Sequence, residues 1–316
     1  MPANVDLSFI LNKPDRTFNA GDTINYKVIA TVHKSFKARH LTVRFKGLAH
    51  IEWSSGKSRR KESQIFFKDY KVLWTSGDSV EFNPGTYEYT GIFCLPDNIP
   101  TSFTHDRGYI EYNVKAKYDV PFDIDCWGSL EFFIQNNLNL NEYTSHNQPS
   151  NNSVEKRFSF CGCYTSDPLQ IVVSLPKTIW IVGETIPITI QVNNNSDVTI
   201  KKIKVKLMES ILFTTTGFMV DYRIENSTFS KRVFETVLRP LQNKTFDALF
   251  SLDKIYPFKN TGDCKIIKCS YFIVATAVVK GLHTNLENKT QIFITHVPDL
   301  AGSVASPQFT HDKNYQ

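Results

Sequence analysis

A chain of 316 residues exceeds what one hydrophobic core comfortably supports, and at about 100 to 200 residues per domain it points to two domains. With 41% apolar and 21% charged residues it reads as a folded protein rather than a disordered one, and no run approaches the ~18 apolar residues of a membrane-spanning helix. The net charge of +5 is uneven: residues 33–71 hold seven lysines and four arginines against Glu52, Glu62 and Asp69, a balance of +8 that leaves −3 for the rest.

The opening Met1-Pro2-Ala3-Asn4-Val5-Asp6 lacks the basic then apolar start of a secretory signal, so a cytoplasmic location is expected. The 24 Phe and 13 Tyr, against only 3 Met, favour β-structure, whose half-buried pleated faces accommodate aromatic rings well. Ile24, Tyr26, Val28 and Ala30 alternate with Asn25, Lys27, Ile29 and Thr31. Leu41, Val43 and Phe45 alternate in the same way with Thr42, Arg44 and Lys46, so each predicted strand has one inward face. Gly, Pro, Asn and Asp turns break this pattern at short intervals, the signature of an all-β sandwich.

The basic stretch falls around the second of these strands. Lys34, Lys37 and Arg39 precede it, Arg44 and Lys46 lie on its outward face, and Lys57, Arg59, Arg60 and Lys61 fall in a loop after Trp53. One reading is a solvated face and a mobile loop. The other is a patch for acidic partners, either acidic or phosphorylated protein tails or anionic lipid head groups, worth about 1 kcal/mol per basic residue near a membrane. Nucleic acid is not expected, because the loop lacks the interleaved aromatic platform that single strands need.

Further along, Pro96 and Pro100 bracket a loop that cannot continue a central strand. The polar stretch 141–153 has almost nothing to bury and predicts the join between domains, near residues 141–157. Domains are therefore expected over 1–150 and 158–300, with strands at 169–173 and 186–192, and with 301–316 as a flexible tail. No helical stretch of amphipathic period stands out.

Self-similarity sharpens this division. Gly21-Asp22-Thr23-Ile24 is echoed by Gly183-Glu184-Thr185-Ile186, an offset of 162. At that offset Ile24, Tyr26, Val28 and Ala30 fall on Ile186, Ile188, Ile190 and Val192, and Leu41, Val43 and Phe45 fall on Ile203, Val205 and Leu207. The outward Thr42, Arg44 and Lys46 meet Lys204, Lys206 and Met208. A slip of one residue would turn every core side chain to solvent, so register kept over both strands predicts two copies of one sandwich.

Catalytic motifs are absent from the sequence: there is no Gly-x-Ser-x-Gly elbow, no His-Glu-x-x-His and no phosphate loop, and the eight histidines are dispersed. Of the six cysteines, Cys161-Gly162-Cys163 with Cys264 and Cys269 come nearest to a chemical cluster. Cys-x-Cys falls outside the usual zinc spacing, so buried, inert thiols are expected. No enzyme activity, metal or cofactor is predicted.

Taken together, several motifs resemble the arrestin superfamily, and within it the α-arrestins, or arrestin-domain-containing proteins. The first half is similar to an N-terminal arrestin module in Phe18-Asn19-Ala20-Gly21-Asp22-Thr23-Ile24, in Val43-Arg44-Phe45-Lys46-Gly47-Leu48-Ala49 followed by Trp53, and in 95–103 with Pro100 and Phe103. The second half is similar to a C-terminal module in Phe160-Cys161-Gly162-Cys163, in the Gly183-Glu184 turn, in Val192-Asn193-Asn194-Asn195-Ser196, and in Cys264-Lys265-Ile266-Ile267 before a strand at 271–276. The resemblance implies a tandem of immunoglobulin-like antiparallel β-sandwiches. It also implies a non-catalytic adaptor in trafficking of membrane proteins, in endocytosis and endosomal sorting, and in signalling, at the plasma membrane or endosomes. Its expected partners are cargo tails and trafficking factors, with peripheral membrane contact, and in many members a HECT-type ubiquitin ligase. Alternatives are a redox regulator that binds thioredoxin through Cys264 or another exposed thiol, and a retromer-like coat subunit.

The sequence also departs from the family. Receptor-regulating arrestins carry paired lysines in the first strand and a buried charged core. Here Leu7-Ser8-Phe9-Ile10-Leu11-Asn12-Lys13 has no such pair and no set of buried charge partners is visible, so a phosphorylation-triggered switch is not expected. The Pro-Pro-x-Tyr ligand of the ligase's WW domains is missing, and Pro84-Gly85-Thr86-Tyr87 lacks the paired prolines.

Overall fold

The computed structural model of the chain describes residues 5–56, 58–122, 124–135, 147–160, 164–217, 220–253 and 259–295. The first copy contains β1 (Val5–Leu11), β2 (Thr17–Phe18), β3 (Thr23–Val32), β4 (Phe36–Ser55), β5 (Ser58–Phe82), β6 (Gly85–Cys94), β7 (Phe103–His105), β8 (Gly108–Asp119) and β9 (Cys126–Ile134). A three-stranded sheet in the order β1-β3-β6 packs on a six-stranded one in the order β2-β9-β8-β4-β5, with β7 also paired to β8. The inward residues expected from alternation, Ile24, Tyr26, Val28, Ala30, Leu41, Val43 and Phe45, are all buried in one core. The stacked rings of Phe45 and Phe93, 4.2 Å between centroids, lie near its centre.

The second copy contains β10 (Ser150–Lys156), β11 (Ser159–Phe160), β12 (Tyr164–Thr165), β13 (Leu169–Leu175), β14 (Ile179–Ile181), β15 (Thr185–Asn194), β16 (Ile200–Thr214), β17 (Tyr222–Leu238), β18 (Gln242–Ser251), β19 (Ile267–Val279) and β20 (Leu286–Thr295). Its sheets run β10-β13-β15-β18 and β14-β20-β19-β16-β17, with a small β11-β12 ribbon beside them. β3 and β15 begin and end at the same offset of 162, and β2-β9 and β14-β20 are both parallel pairs. The duplicated register read from the sequence is thus the architecture: all-β, with two sandwiches of one design.

Part of the polar stretch expected as linker is a strand. Ser150-Asn151-Asn152-Ser153-Val154-Glu155-Lys156 pairs antiparallel with β13. Side-chain amides hold it where apolar burial cannot. Asn152 donates to Asn288 Oδ1 at 3.0 Å, and the fully buried Asn288 donates back to the Asn152 and Ile171 carbonyls at 2.8 and 3.0 Å.

The first core does not stop at the join. Ile211, Phe213, Cys264, Ile266 and Ile267 of the second copy belong to it. Around this shared core, Thr101 N–H donates to the Asn260 carbonyl at 2.8 Å, Lys265 N–H donates to Gln64 Oε1 at 2.7 Å, and Thr216 N–H donates to Glu62 Oε2 at 2.7 Å. No helix among the described residues is long and apolar enough to cross a membrane.

Candidate functional site: basic faces on equivalent sheets

Outward side chains on β4 include Thr42, Arg44 and Lys46, each in register with β8 and β5 neighbours. Arg44 stands beside Lys115 and Tyr70, Lys46 beside Asn113 and Lys68, and Thr42 beside Lys117 and Val72. Alternation therefore gathers cations from three strands onto one face. Lys115 Nζ lies 3.9 Å from the ring centroid of Trp127, an exposed side chain on β9. Lys117 is paired with Asp125, whose carboxyl is held below the ordinary range chiefly by that lysine's hydrogen bond, against the opposing effect of burial. The Tyr70 hydroxyl is lowered by its hydrogen bond to Lys68, with Arg44 assisting.

The expected patch is not one surface. Arg44 and Lys46 stay together and gain Lys68 and Lys115, which the sequence reading left out. Lys34 and Lys37 are exposed near the start of β4, and Arg39 is bonded to Asp119 at 2.5 Å. Arg59 pairs with Glu52, and Arg60 reaches Asp221 of the second copy at 3.3 Å. Lys61 is exposed, and Lys57 lies outside the described residues. Arg59 and Arg60 are on the β4–β5 hairpin, not in an open loop, and their charge is spent on intramolecular pairs, one of which ties the copies together.

On the equivalent sheet of the second copy, Lys204 and Lys206 of β16 point outward beside Thr276 and Val274, and Lys206 faces Lys231 of β17. Lys268 lies beside Leu212, and Lys289 lies beside Val274 with its ammonium 3.9 Å from the Phe272 ring centroid. Lys202 is paired with Glu235 at 3.4 Å. A charge count along the chain hides this face, because acidic residues elsewhere in the second copy cancel it. Carrying the Thr42-Arg44-Lys46 register forward by 162 would have found it.

The family turn residues are structural clamps. Gly21 and Gly183 have φ of +81° and +98°, which L side chains rarely adopt, and each is followed by an acid. Asp22 accepts from Lys13 Nζ at 2.7 Å and from Asn19 N–H at 2.9 Å. Glu184 accepts from Lys177 Nζ at 2.6 Å and from Ile181 N–H at 2.9 Å. The clamp lysines lie over Phe18 and Trp180, 5.1 and 4.7 Å from the ring centroids. Burial opposes ionisation of Glu184, but the Ile181 N–H and Lys177 outweigh it and hold the carboxyl below its ordinary value. Trp53 and Phe103 are buried in the core, and the Pro100 carbonyl accepts from the Tyr112 hydroxyl at 2.6 Å. Cys161 and Gly162 lie outside the described residues.

The geometry does not favour Cys264 as a reactive thiol, although Cys94 is an exposed free cysteine. Cys264, the candidate reactive thiol, is 1% exposed, and burial pushes its pKa up, away from thiolate. Cys269 is pushed up to about 12 by burial and by Glu209. Among the described residues no three His, Cys, Asp or Glu side chains converge as a metal would require.

A buried carboxylate with a half-buried cationic partner escaped the sequence reading. Glu209, almost fully buried, accepts from Lys259 Nζ at 3.1 Å, from Tyr271 OH at 3.0 Å and from Cys269 Sγ at 3.5 Å. The signal was present: Glu209 occupies an inward position in the alternation Ile203, Val205, Leu207, Ile211, Phe213.

Family models for the arrestin (or S-antigen) N-terminal and C-terminal domains match residues 7–141 and 165–299. Among curated proteins the chain is similar to arrestin domain-containing protein 17 of Caenorhabditis elegans, 26% identical over 60% of this chain and 48% of that protein. It is similar to human arrestin domain-containing protein 5, 24% identical over 93% of this chain and 89% of that protein. Mouse thioredoxin-interacting protein is 27% identical over 35% of this chain and 30% of that protein. The chain thus spans about half the length of the worm relative and nearly all of the human one. Two matched modules in tandem, folded as duplicate sandwiches in one register, place the chain in the arrestin family.

Proposed function

We propose that the protein is a non-catalytic, arrestin-type adaptor that binds acidic or phosphorylated cytosolic tails of membrane-protein cargo and bridges them to a trafficking factor. The observation that carries this reading is the repeated basic face: Arg44, Lys46, Lys68 and Lys115 on the first copy, and Lys204, Lys206, Lys231 and Lys268 on the second. Lysine-rich sheet faces attract flexible polyanions through long-range fields and screened pairs rather than through one fixed pocket. Exposed rings and aliphatics among the cations, such as Trp127, Tyr70 and Ile224, would add apolar contact. A cytoplasmic location, at the plasma membrane or endosomes, follows from this role.

Recruitment of a HECT-type ubiquitin ligase has no support in these residues, and the burial of Cys264 argues against thioredoxin binding through that thiol, leaving the exposed Cys94 as the thiol that alternative would need. The test is affinity purification with the wild type and with the charge-reversed variant R44E/K46E/K204E/K206E. Cargo tails and trafficking factors should be recovered by the wild type and lost with the variant. Recovery of metabolic enzymes alone, unchanged by the variant, would sink the reading, and stable stoichiometric coat partners would favour a coat subunit.

A further inference from the structure

The β8 and β9 strands of the first copy are joined by Val120-Pro121-Phe122-Asp123-Ile124-Asp125. Phe122 and Ile124 are 109% and 85% exposed in this turn, so both side chains project from the protein instead of packing on it. Phe122 also has a φ of +63°, which a bulky L residue rarely adopts and which persists only where the surrounding chain holds it. Two large apolar side chains presented together at one tip gain nothing for the fold.

Behind the tip, the outward face of the six-stranded sheet changes character in steps. Register places Trp127, Lys117, Thr42 and Val72 in one row across β9, β8, β4 and β5, about 7 Å back from the end of β8. Trp127 and Val72 are exposed. The next row, about 13 Å back, is Ser129, Lys115, Arg44 and Tyr70. Its Lys115 and Arg44 hold no carboxylate among the described residues. The acids nearest the tip are already answered, Asp119 by Arg39 at 2.5 Å and Asp125 by Lys117. On the face itself acids begin one row further back, with Glu131 opposite Asn113, and continue at Glu111.

We infer that this end of the first copy docks on an anionic lipid bilayer, with Phe122 and Ile124 entering the interface, Trp127 and Val72 among the head groups, and Lys115 and Arg44 above the phosphates. A bilayer offers the same order of environments with depth. Its apolar core is followed by a head-group layer about 5 to 8 Å thick that favours amphipathic rings, and then by a negative potential reaching about one Debye length, ~8 Å, into water. A soluble acidic segment would match the cations but not the bare tip. An apolar pocket in a protein partner would match the tip but not the cations set back from it. Asp123, between the two apolar residues in sequence, keeps entry shallow, because hydrocarbon expels a carboxylate. The docking goes beyond the cargo reading: it shares Arg44 with it but depends on the tip, and it leaves Lys204 and Lys206 of the second copy to the tail.

The test is co-sedimentation of the full chain with phosphatidylcholine vesicles, with and without about 30% phosphatidylserine. The wild type should bind the phosphatidylserine vesicles. F122S/I124S should weaken that binding by about tenfold or more, through lost apolar burial at the interface, and K115E by a few-fold in a salt-dependent way. Tryptophan emission should move to the blue when these vesicles are added to the wild type, and W127F should remove most of that shift. Thermal melts separate lost binding from lost folding, and F122S/I124S replaces only side chains that face water. Binding of a soluble phosphorylated peptide should be the same in F122S/I124S as in the wild type, which tells a failure here from a failure of the cargo reading. No binding to phosphatidylserine vesicles would overturn the inference. So would binding that F122S/I124S leaves intact, the mark of the basic face acting alone.

Discussion

Gly47 and Glu209 occupy the same place in the two copies, and the difference between them shows how the molecule is held together. They are 162 residues apart, and each sits opposite a tyrosine, Gly47 beside Tyr112 across β4–β8 and Glu209 beside Tyr271 across β16–β19. In the first copy the missing side chain leaves room for rings: a Cβ on Gly47 would lie 2.6 Å from Tyr112 Cε1 and 2.7 Å from Phe67 Cε1. The Tyr112 hydroxyl then reaches the Pro100 carbonyl. In the second copy the position carries a carboxylate that takes the Tyr271 hydroxyl and the Lys259 ammonium. One tyrosine thus fastens the loop around Pro100, and the other, through Glu209, fastens the segment at Lys259. These are the segments that meet at the junction, Thr101 to Asn260. A duplicated frame has been given different side chains at one inward point to lock the copies against each other.

Removing the carboxylate should break this arrangement most. Glu209→Ala leaves the Lys259 ammonium and the Tyr271 hydroxyl without their acceptor, and is expected to cost about 3 kcal/mol in denaturant unfolding. Glu209→Gln, which keeps the shape, should recover part of that. Gly47→Ala tests the other copy: the rings of Tyr112 and Phe67 must shift, and a loss of about 2 kcal/mol is expected. Equal tolerance of alanine at both positions would contradict the view that they are differently specialised.

The turn clamps sharpen the comparison from the side of similarity. Glu184→Gln should cost about 1 kcal/mol at neutral pH. The folded carboxyl titrates below its unfolded value, so its contribution is present above the ordinary carboxylate range and lost as pH falls through the folded value. The wild type and Glu184→Gln should therefore converge in stability as pH falls below the ordinary carboxylate range and through the folded value. Smallest of all, K204E/K206E should change stability by no more than about 0.5 kcal/mol, since both side chains are on the solvent face of β16. On the proposed adaptor role, its effect is expected in binding.

How much of this was legible in the sequence depends on periodicity. Alternation at residues 24–30 and 186–192 is strict, and the structure keeps that register, because a slip would expose the whole inward set. The strand at 150–156 was not legible, since amide hydrogen bonds to Asn288, rather than apolar burial, hold it and leave no hydrophobic pattern. The basic patch was half legible. Arg44 and Lys46 could be assigned a face, but which cations join them depends on β5 and β8 register, and the pairing of Arg60 with Asp221 spans 161 residues.

The central claim, that the equivalent basic faces bind acidic segments, is tested most directly by titrating the full chain with a multiply phosphorylated acidic peptide at rising ionic strength, beside R44E/K46E and K204E/K206E. The account predicts binding that weakens steadily with salt and drops with each reversal. Affinity that ignores both salt and charge reversal would contradict it.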